Sequence, residues 1–183
     1  MNYKYILNEL LGNIFIPAIE LKTKLPDSPG AYVICAKSTD ILPASMRKLE
    51  YSYNNGLPVI YVGIAGRPTS RVKSLRKRDY ETHFNGTARR STLRKSLGVL
   101  FGFEKQYESE KSNSKYKFIP EHEMKLSKWM QDNLVIHFFT IDNPMELELY
   151  LIKYYEPPLN LKDNHSEKNK IFREELSHLR TLR

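Results

Sequence analysis

Two short apolar runs, each joined to a glycine and a tyrosine, constrain the fold of this chain more than any other feature. The first run, Ala31 to Ala36, begins within Gly30-Ala31-Tyr32, and the second, Pro58 to Val62, leads into Tyr61-Val62-Gly63. Short apolar runs bounded by turn residues are typical of buried strands. Asn54-Asn55-Gly56 is a turn signal before the second run, and Gly63 is predicted to stop it. We therefore predict an antiparallel hairpin with a long loop over 37–57.

The remaining sequence predicts one more strand and several helices. The third strand is expected over 134–140, and residues 104–120 are expected to form a polar loop. Helical patterns cover residues 3–12, 71–84, 91–101, 121–132, 144–155 and 166–183. This order predicts an α/β protein of the α+β type, with a small three-stranded, largely antiparallel sheet flanked by helices.

The segment boundaries suggest three parts. Residues 1–27 are predicted to form an N-terminal helix and an extended arm, residues 28–162 the central domain, and residues 163–183 a C-terminal helical tail. A single cysteine, Cys35, excludes a disulfide within the chain. No secretory signal or membrane-length apolar run is visible, so we expect a cytoplasmic-type protein without a membrane partner.

The positive charge of the chain is concentrated in one segment. Between Arg67 and Lys95 there are ten Lys or Arg residues and two acids, so this segment carries the whole net charge of +8. A patch of this density attracts polyanions such as a phosphate backbone. An ordinary solvated helix face is the alternative interpretation.

One glutamate is predicted to face inward. In the helix 144–155, Asn143 is the expected N-cap and Glu146 is expected to reach back to that cap. Glu148 instead shares its side of the helical wheel with Leu151, Ile152 and Tyr155. A buried carboxylate is costly unless it is paired or bound to a cation, so its partner is either an arginine or a metal ion.

These motifs, taken in order, resemble the GIY-YIG nuclease family. The two signatures are Gly30-Ala31-Tyr32 and Tyr61-Val62-Gly63, and the family's helical glutamate, followed twelve residues later by asparagine, corresponds to Glu148 and Asn160. The resemblance covers roughly residues 28–162, with Ala31 in place of the usual isoleucine. It implies a GIY-YIG-like fold.

The family's helical arginine, followed four residues later by histidine or tyrosine, is less clear in this chain. Arg78 and His83 are the favoured pair, but their five-residue spacing sets them about 140° apart on an ideal α-helix. An irregularity near Asp79 would have to align them. Arg71 and Arg76 remain alternatives, since each keeps one of the family's spacings.

The resemblance implies a metal-dependent endonuclease that hydrolyses DNA phosphodiester bonds. Glu148 would hold Mg²⁺ or Mn²⁺, an arginine would stabilise the transition-state charge, Tyr32 or Tyr61 would orient or deprotonate water, and Asn160 would fix the geometry. His83 could assist proton transfer, while a tyrosine base would require a depressed pKa. The residues expected to contact backbone phosphates are Arg89, Arg90, Arg94 and Lys95.

Two other functions compete with this one. The chain could be a catalytically inactive nucleic-acid-binding module with the same fold, or a protein-interaction domain whose basic patch meets an acidic partner. A dimer is compatible with each function, and the sequence leaves the oligomeric state open.

Overall fold

The computed structural model describes residues 1–69, 71–107 and 115–182, which contain both helices and strands. The α-helices are α1 (Tyr3–Gly12), α2 (Thr92–Leu100), α3 (Pro120–Asn133), α4 (Met145–Tyr155) and α5 (Lys170–Thr181). A π-helix spans Lys77–Phe84, and 3₁₀ turns span Lys22–Lys24, Ala44–Met46 and Ala88–Arg90. The strands are β1 (Ile14–Phe15), β2 (Gly30–Ala36), β3 (Tyr53–Asn54), β4 (Leu57–Ala65), β5 (Lys105–Tyr107), β6 (Tyr116–Phe118) and β7 (Leu134–Thr140).

An antiparallel sheet in the order β1-β7-β2-β4-β3 lies at the centre of the fold. The β2–β4 hairpin is confirmed, and Tyr32 of β2 lies opposite Gly63 of β4 and Phe138 of β7. The predicted mixed α/β class is confirmed, but the three-stranded sheet is corrected to five strands. The two additional strands, β1 and β3, have two residues each, which is too short for a periodic signal.

Both faces of the sheet are covered, so β2 is buried throughout and β4 and β7 are buried over most of their length. On one face, side chains including Tyr32 and Ile34 pack with residues of α2, α3 and α5. On the other face, Val33 and Cys35 pack with residues of α1 and α4. This three-layer arrangement explains why β2 reads as a continuous apolar run rather than an alternating one.

Several predicted boundaries need correction. β4 continues through Gly63 to Ala65 because its backbone remains paired with β2. The loop 37–57 contains β3, whose turn uses positive φ angles at Asn55 and Gly56. The predicted loop 104–120 contains the paired strands β5 and β6, while 108–114 lie outside the described residues. Pro144, rather than Asn143, occupies the N-cap position of α4.

The contact between α1 and α4 fixes the orientation of the helix that carries Glu148. Tyr3 stacks on Tyr150 with ring centroids 3.8 Å apart and donates its hydroxyl to the Glu146 carboxylate. Glu146 is therefore engaged with α1 instead of the predicted cap. Among the described helices, none is long and apolar enough to cross a membrane.

Candidate active site

The glycines of both signatures are required by close approaches between strands. A Cβ added at Gly30 would lie 2.3 Å from the carbonyl oxygen of Phe139 on β7. A Cβ added at Gly63 would lie 2.3 Å from the Tyr32 hydroxyl, because the Tyr32 ring crosses β4 at that residue. The tyrosine of the first signature thus packs on the glycine of the second.

Replacing Gly63 by Ala is expected to destabilise the protein by about 1–3 kcal/mol, because the fully buried Tyr32 ring has no room to move. Urea unfolding measures this loss. The matched control is Gly12→Ala at the end of α1, where an added Cβ meets no atom within 4 Å; this variant should be neutral or slightly more stable. Equal stability of both variants would contradict the assigned packing.

A π-helix resolves the spacing of Arg78 and His83. Its hydrogen bonds link residues five apart, as in the 3.0 Å bond from Asn85 N–H to the Tyr80 carbonyl. Residues five apart therefore lie on the same side. Arg78 Nε donates to the Tyr32 hydroxyl at 3.3 Å, and His83 Nε2 lies 2.7 Å from the same oxygen. The predicted irregularity near Asp79 is thus present and brings both side chains to Tyr32.

A buried hydrogen-bond chain extends from this point. His83 Nδ1 lies 2.6 Å from Ser91 Oγ, and Ser91 also accepts a bond from the Arg94 backbone N–H as the N-cap of α2. Burial, with smaller effects from Arg78 and Arg94, holds the pKa of His83 well below its usual range. His83 is therefore a neutral ring that fixes Tyr32 between α2 and the π-helix.

Tyr32 does not have the depressed pKa that a phenolate base requires. Its ring is fully buried, and burial raises the pKa of Tyr32 well above 10 even though Arg78 opposes this shift. Tyr61 lies closer to solvent, with 7% of its surface exposed, and its hydroxyl lies 3.1 Å from Thr92 Oγ1. Of the two phenols, Tyr61 is the one that lines the adjacent cleft.

That cleft, with a volume of about 320 Å³, lies between β4, the π-helix, α4 and the end of α5. Its lining brings together predicted site residues from distant parts of the sequence: Tyr61, Arg78, Glu148 and Asn160. Tyr32 and His83 lie behind this lining: Tyr32 contacts Arg78, and His83 contacts Tyr32. Arg76 instead bonds the Leu25 carbonyl, and Arg71 is exposed beside a different cavity.

Glu148 faces the cleft and is only 8% exposed, as the helical wheel predicts. Its carboxylate forms an ion pair with Arg67, whose side chain is 41% exposed. Burial raises the pKa of Glu148, although Arg67 opposes the shift. The ion-pair alternative is therefore the arrangement seen here, with Arg67 as its more exposed partner.

Asn160 fixes the strand that carries Tyr61. Its side-chain oxygen accepts from the Val62 N–H at 2.8 Å, and its side-chain amide donates to the Val62 carbonyl at 2.9 Å. These bonds satisfy backbone groups of β4 in the middle of the second signature. Asn160 therefore ties the segment after α4 to the strand at the cleft.

The predicted phosphate-contacting residues separate into two groups. Arg89 and Arg90 are exposed, and Lys95 is half-buried with Nζ 5.1 Å from the Tyr116 ring centroid. Arg94 is fully buried, and its guanidinium binds the Glu123 carboxylate through Nη2 at 2.6 Å. The expectation that Arg94 contacts DNA is corrected, because that guanidinium is committed to an internal partner.

The cleft offers a modest set of metal ligands. Among the described residues, no group of three or more His, Cys, Asp or Glu side chains could hold a metal ion. Glu148 and Asp163 both line the cleft, and Asp163 contributes to the raised pKa of Glu148. One or two carboxylates, completed by water and phosphate oxygens, suit Mg²⁺, so the residues present fit that ion.

Four residues of the described site were not predicted from the sequence. Arg67 follows β4 in a loop, Ser91 begins the helix predicted over 91–101, Asp163 follows α4, and Arg180 belongs to the segment interpreted as a tail. Each reaches the site through tertiary packing. The only available signals were the charges of Arg67, Asp163 and Arg180.

Comparison with protein families gives one match, to the GIY-YIG catalytic domain over residues 30–182. Searches of curated proteins and of solved structures give no match. The match begins at the glycine of the first signature and extends across α5.

Proposed function

This chain belongs to the GIY-YIG catalytic-domain family, which is a family of nucleases, and we propose that it is a divalent-metal-dependent endonuclease acting on DNA. The observation that carries this proposal is the shared cleft of Arg78, Tyr61 and Glu148. A cation-binding acid, a phenol and a guanidinium around one cavity suit the hydrolysis of a phosphodiester bond.

Glu148 is the residue proposed to hold Mg²⁺ or Mn²⁺, with Asp163 close to it in the cleft. When bound, the ion would polarise the phosphoryl group and neutralise developing charge. In this proposal the ion displaces Arg67 from the Glu148 carboxylate, and the partly exposed side chain of Arg67 supports such a movement. The ion pair with Arg67 and the bound metal ion are then two states of the same Glu148 carboxylate.

The other roles follow from the hydrogen bonds. Arg78 would stabilise negative charge on the phosphate oxygens in the transition state, while Tyr32 and His83 hold its guanidinium in position. Tyr61 would orient the attacking water, because it is the phenol on the cleft surface. Asn160 keeps Tyr61 in place through Val62. Arg89, Arg90 and Lys95 remain the proposed contacts to backbone phosphates.

The Arg67–Glu148 ion pair also supports a second candidate function, an inactive DNA-binding module. In such a protein Arg67 would remain on Glu148 and exclude the metal. Plasmid DNA incubated with the protein and Mg²⁺, Mn²⁺ or EDTA separates the two functions. The proposed function predicts nicked or linear DNA with a divalent ion and intact DNA with EDTA. Binding without cleavage in either metal would favour the inactive module.

Cleavage is expected to decrease as the pH falls through the pKa of Glu148. An ordinary glutamate has a pKa of about 4.3. Because burial raises the pKa of Glu148, the loss of cleavage should begin at a higher pH than it would for an ordinary glutamate. Protonation removes the negative charge that would bind the metal. Single-turnover rates at fixed Mg²⁺, with far-UV circular dichroism as a control for folding, measure this dependence. A constant rate down to about pH 4 would contradict this role of Glu148.

A further inference from the structure

The C-terminal helix is held against the cleft at both its middle and its end. Phe172 and Leu176 of α5 are buried in the same hydrophobic core as Tyr32. At the end of α5, Lys105 Nζ donates to the Leu179 carbonyl at 2.8 Å and also to the Leu182 carbonyl. The last turn of α5 is therefore anchored to β5, and Arg180 within it has a defined position.

Arg180 lines the same cleft as Arg78, Tyr61 and Glu148. Within residues 1–69, 71–107 and 115–182, it forms no ion pair with an acid. The pKa of Arg180 is lowered, chiefly because burial disfavours its charge, with Tyr116 and Tyr61 acting in the opposite direction. Burial lowers the pKa of Lys95 and Arg180 lowers it further, so two cations lie near one another.

This arrangement is unfavourable for the protein alone. A half-buried guanidinium loses hydration, and a second cation nearby adds repulsion. Of the two acids in the cleft lining, Glu148 is held by Arg67, and Asp163 lies 3.9 Å from the Lys162 ammonium. An anion in the cleft would relieve both costs, and a guanidinium suits phosphate oxygens through paired N–H donors.

We propose that Arg180 binds a backbone phosphate of the DNA strand, next to the phosphate that is cleaved. This inference rests on the proposed function, since it assumes that DNA occupies the cleft. It makes α5 part of the DNA site, so the functional domain extends through residue 181 instead of ending at 162. The match of the family to residues 30–182 agrees with that extent.

The test compares Arg180→Gln, Arg180→Lys and the control Lys125→Gln. Lys125 is an exposed lysine of α3, and no described residue of α3 lines the cleft. Fluorescence anisotropy measures binding of a short labelled duplex in EDTA at increasing KCl. Arg180→Gln should weaken binding by about 10- to 100-fold at low salt. For Arg180→Gln, the slope of the logarithm of the binding constant against the logarithm of the KCl concentration should decrease in magnitude by about 1. Arg180→Lys should keep the wild-type slope, and Lys125→Gln should match wild type in affinity and slope.

The outcomes separate this inference from the proposed function. If the wild-type protein binds DNA without cleaving it, and Arg180→Gln still shows the weaker binding and smaller salt slope, the nuclease proposal fails and the Arg180 assignment stands. If wild type cleaves and Arg180→Gln has the affinity and slope of Lys125→Gln, the Arg180 assignment is overturned. Unfolding curves establish that each variant is folded, and Arg180→Lys provides a charge-retaining variant if Arg180→Gln is unfolded. Failure of wild type to bind DNA would overturn the assignment as well.

Discussion

Replacing Glu148 by Gln is expected to reduce DNA cleavage by about 10³-fold while leaving the protein folded. Metal-ion stabilisation of a phosphoryl transition state contributes several kcal/mol, and each ~1.4 kcal/mol changes the rate about tenfold. Glutamine keeps the shape of the side chain but removes the charge that would hold the ion. Single-turnover cleavage at saturating DNA and Mg²⁺ measures the effect. The control is Glu121→Gln on α3, an exposed residue outside the cleft lining, which should keep wild-type activity.

The same substitution has a predictable effect on the free energy of unfolding. Burial raises the pKa of Glu148 in the folded protein above its pKa in the unfolded chain. The stability that Glu148 contributes is therefore fully present below the pKa of the unfolded chain, and it is lost as the pH rises through the pKa of the folded protein. Glu148→Gln should therefore be at least as stable as wild type at neutral pH, and this advantage should shrink in acid. Urea unfolding at several pH values tests this sign. Wild-type cleavage by Glu148→Gln would exclude Glu148 as the metal ligand.

Replacing Arg94 by Met should lower the free energy of unfolding by about 3–5 kcal/mol, because it leaves Glu123 buried without its cation. Arg94 donates to the Glu123 carboxylate, to the His83 carbonyl at 3.0 Å and to Ser127 Oγ at 3.0 Å. The remaining Glu123 oxygen accepts from two backbone N–H groups, those of Ala88 and Phe118. Arg94 thus joins α2, α3 and the end of the π-helix, and its loss should loosen His83.

A matched surface pair provides the control for this prediction. Lys128 forms an ion pair with Asp132 on the exposed face of α3. Lys128→Met should lower the free energy of unfolding by no more than about 1 kcal/mol. The double variant Arg94→Met, Glu123→Gln should recover part of the lost stability, since no charge is then buried alone and the glutamine oxygen still accepts from Ala88 and Phe118. Urea unfolding measures all three variants. A loss for Arg94→Met no larger than for Lys128→Met would show that this pair does not stabilise the fold.

The extent to which the fold could be predicted depended on the length of each element. The seven residues of β7, five of them apolar, were predicted as a strand over 134–140, and this strand is confirmed over Leu134–Thr140. The two-residue strands β1 and β3 were missed, because pairing with a neighbouring strand defines them and local pattern does not. The π-helix was anticipated only as an irregularity near Asp79, since an ideal α-helix separates Arg78 from His83.

The site could be predicted where one element determines the orientation of a side chain. The wheel of α4 places Glu148 inward, and the structure confirms its burial. The charge pattern gave no means of separating buried Arg94 from exposed Arg89 and Arg90, because helices packed from elsewhere cover only the first. Arg67 and Arg180 reach the cleft from a loop and from the last helix, so their roles depend on tertiary structure.

In the proposed mechanism, Glu148 exchanges Arg67 for a divalent ion in the cleft. Anomalous diffraction from crystals soaked in Mn²⁺ tests this exchange most directly. An anomalous peak is expected about 2 Å from a carboxylate oxygen of Glu148, with the Arg67 guanidinium moved away. A cleft without such a peak, with Arg67 still bonded to Glu148 at saturating Mn²⁺, would contradict it.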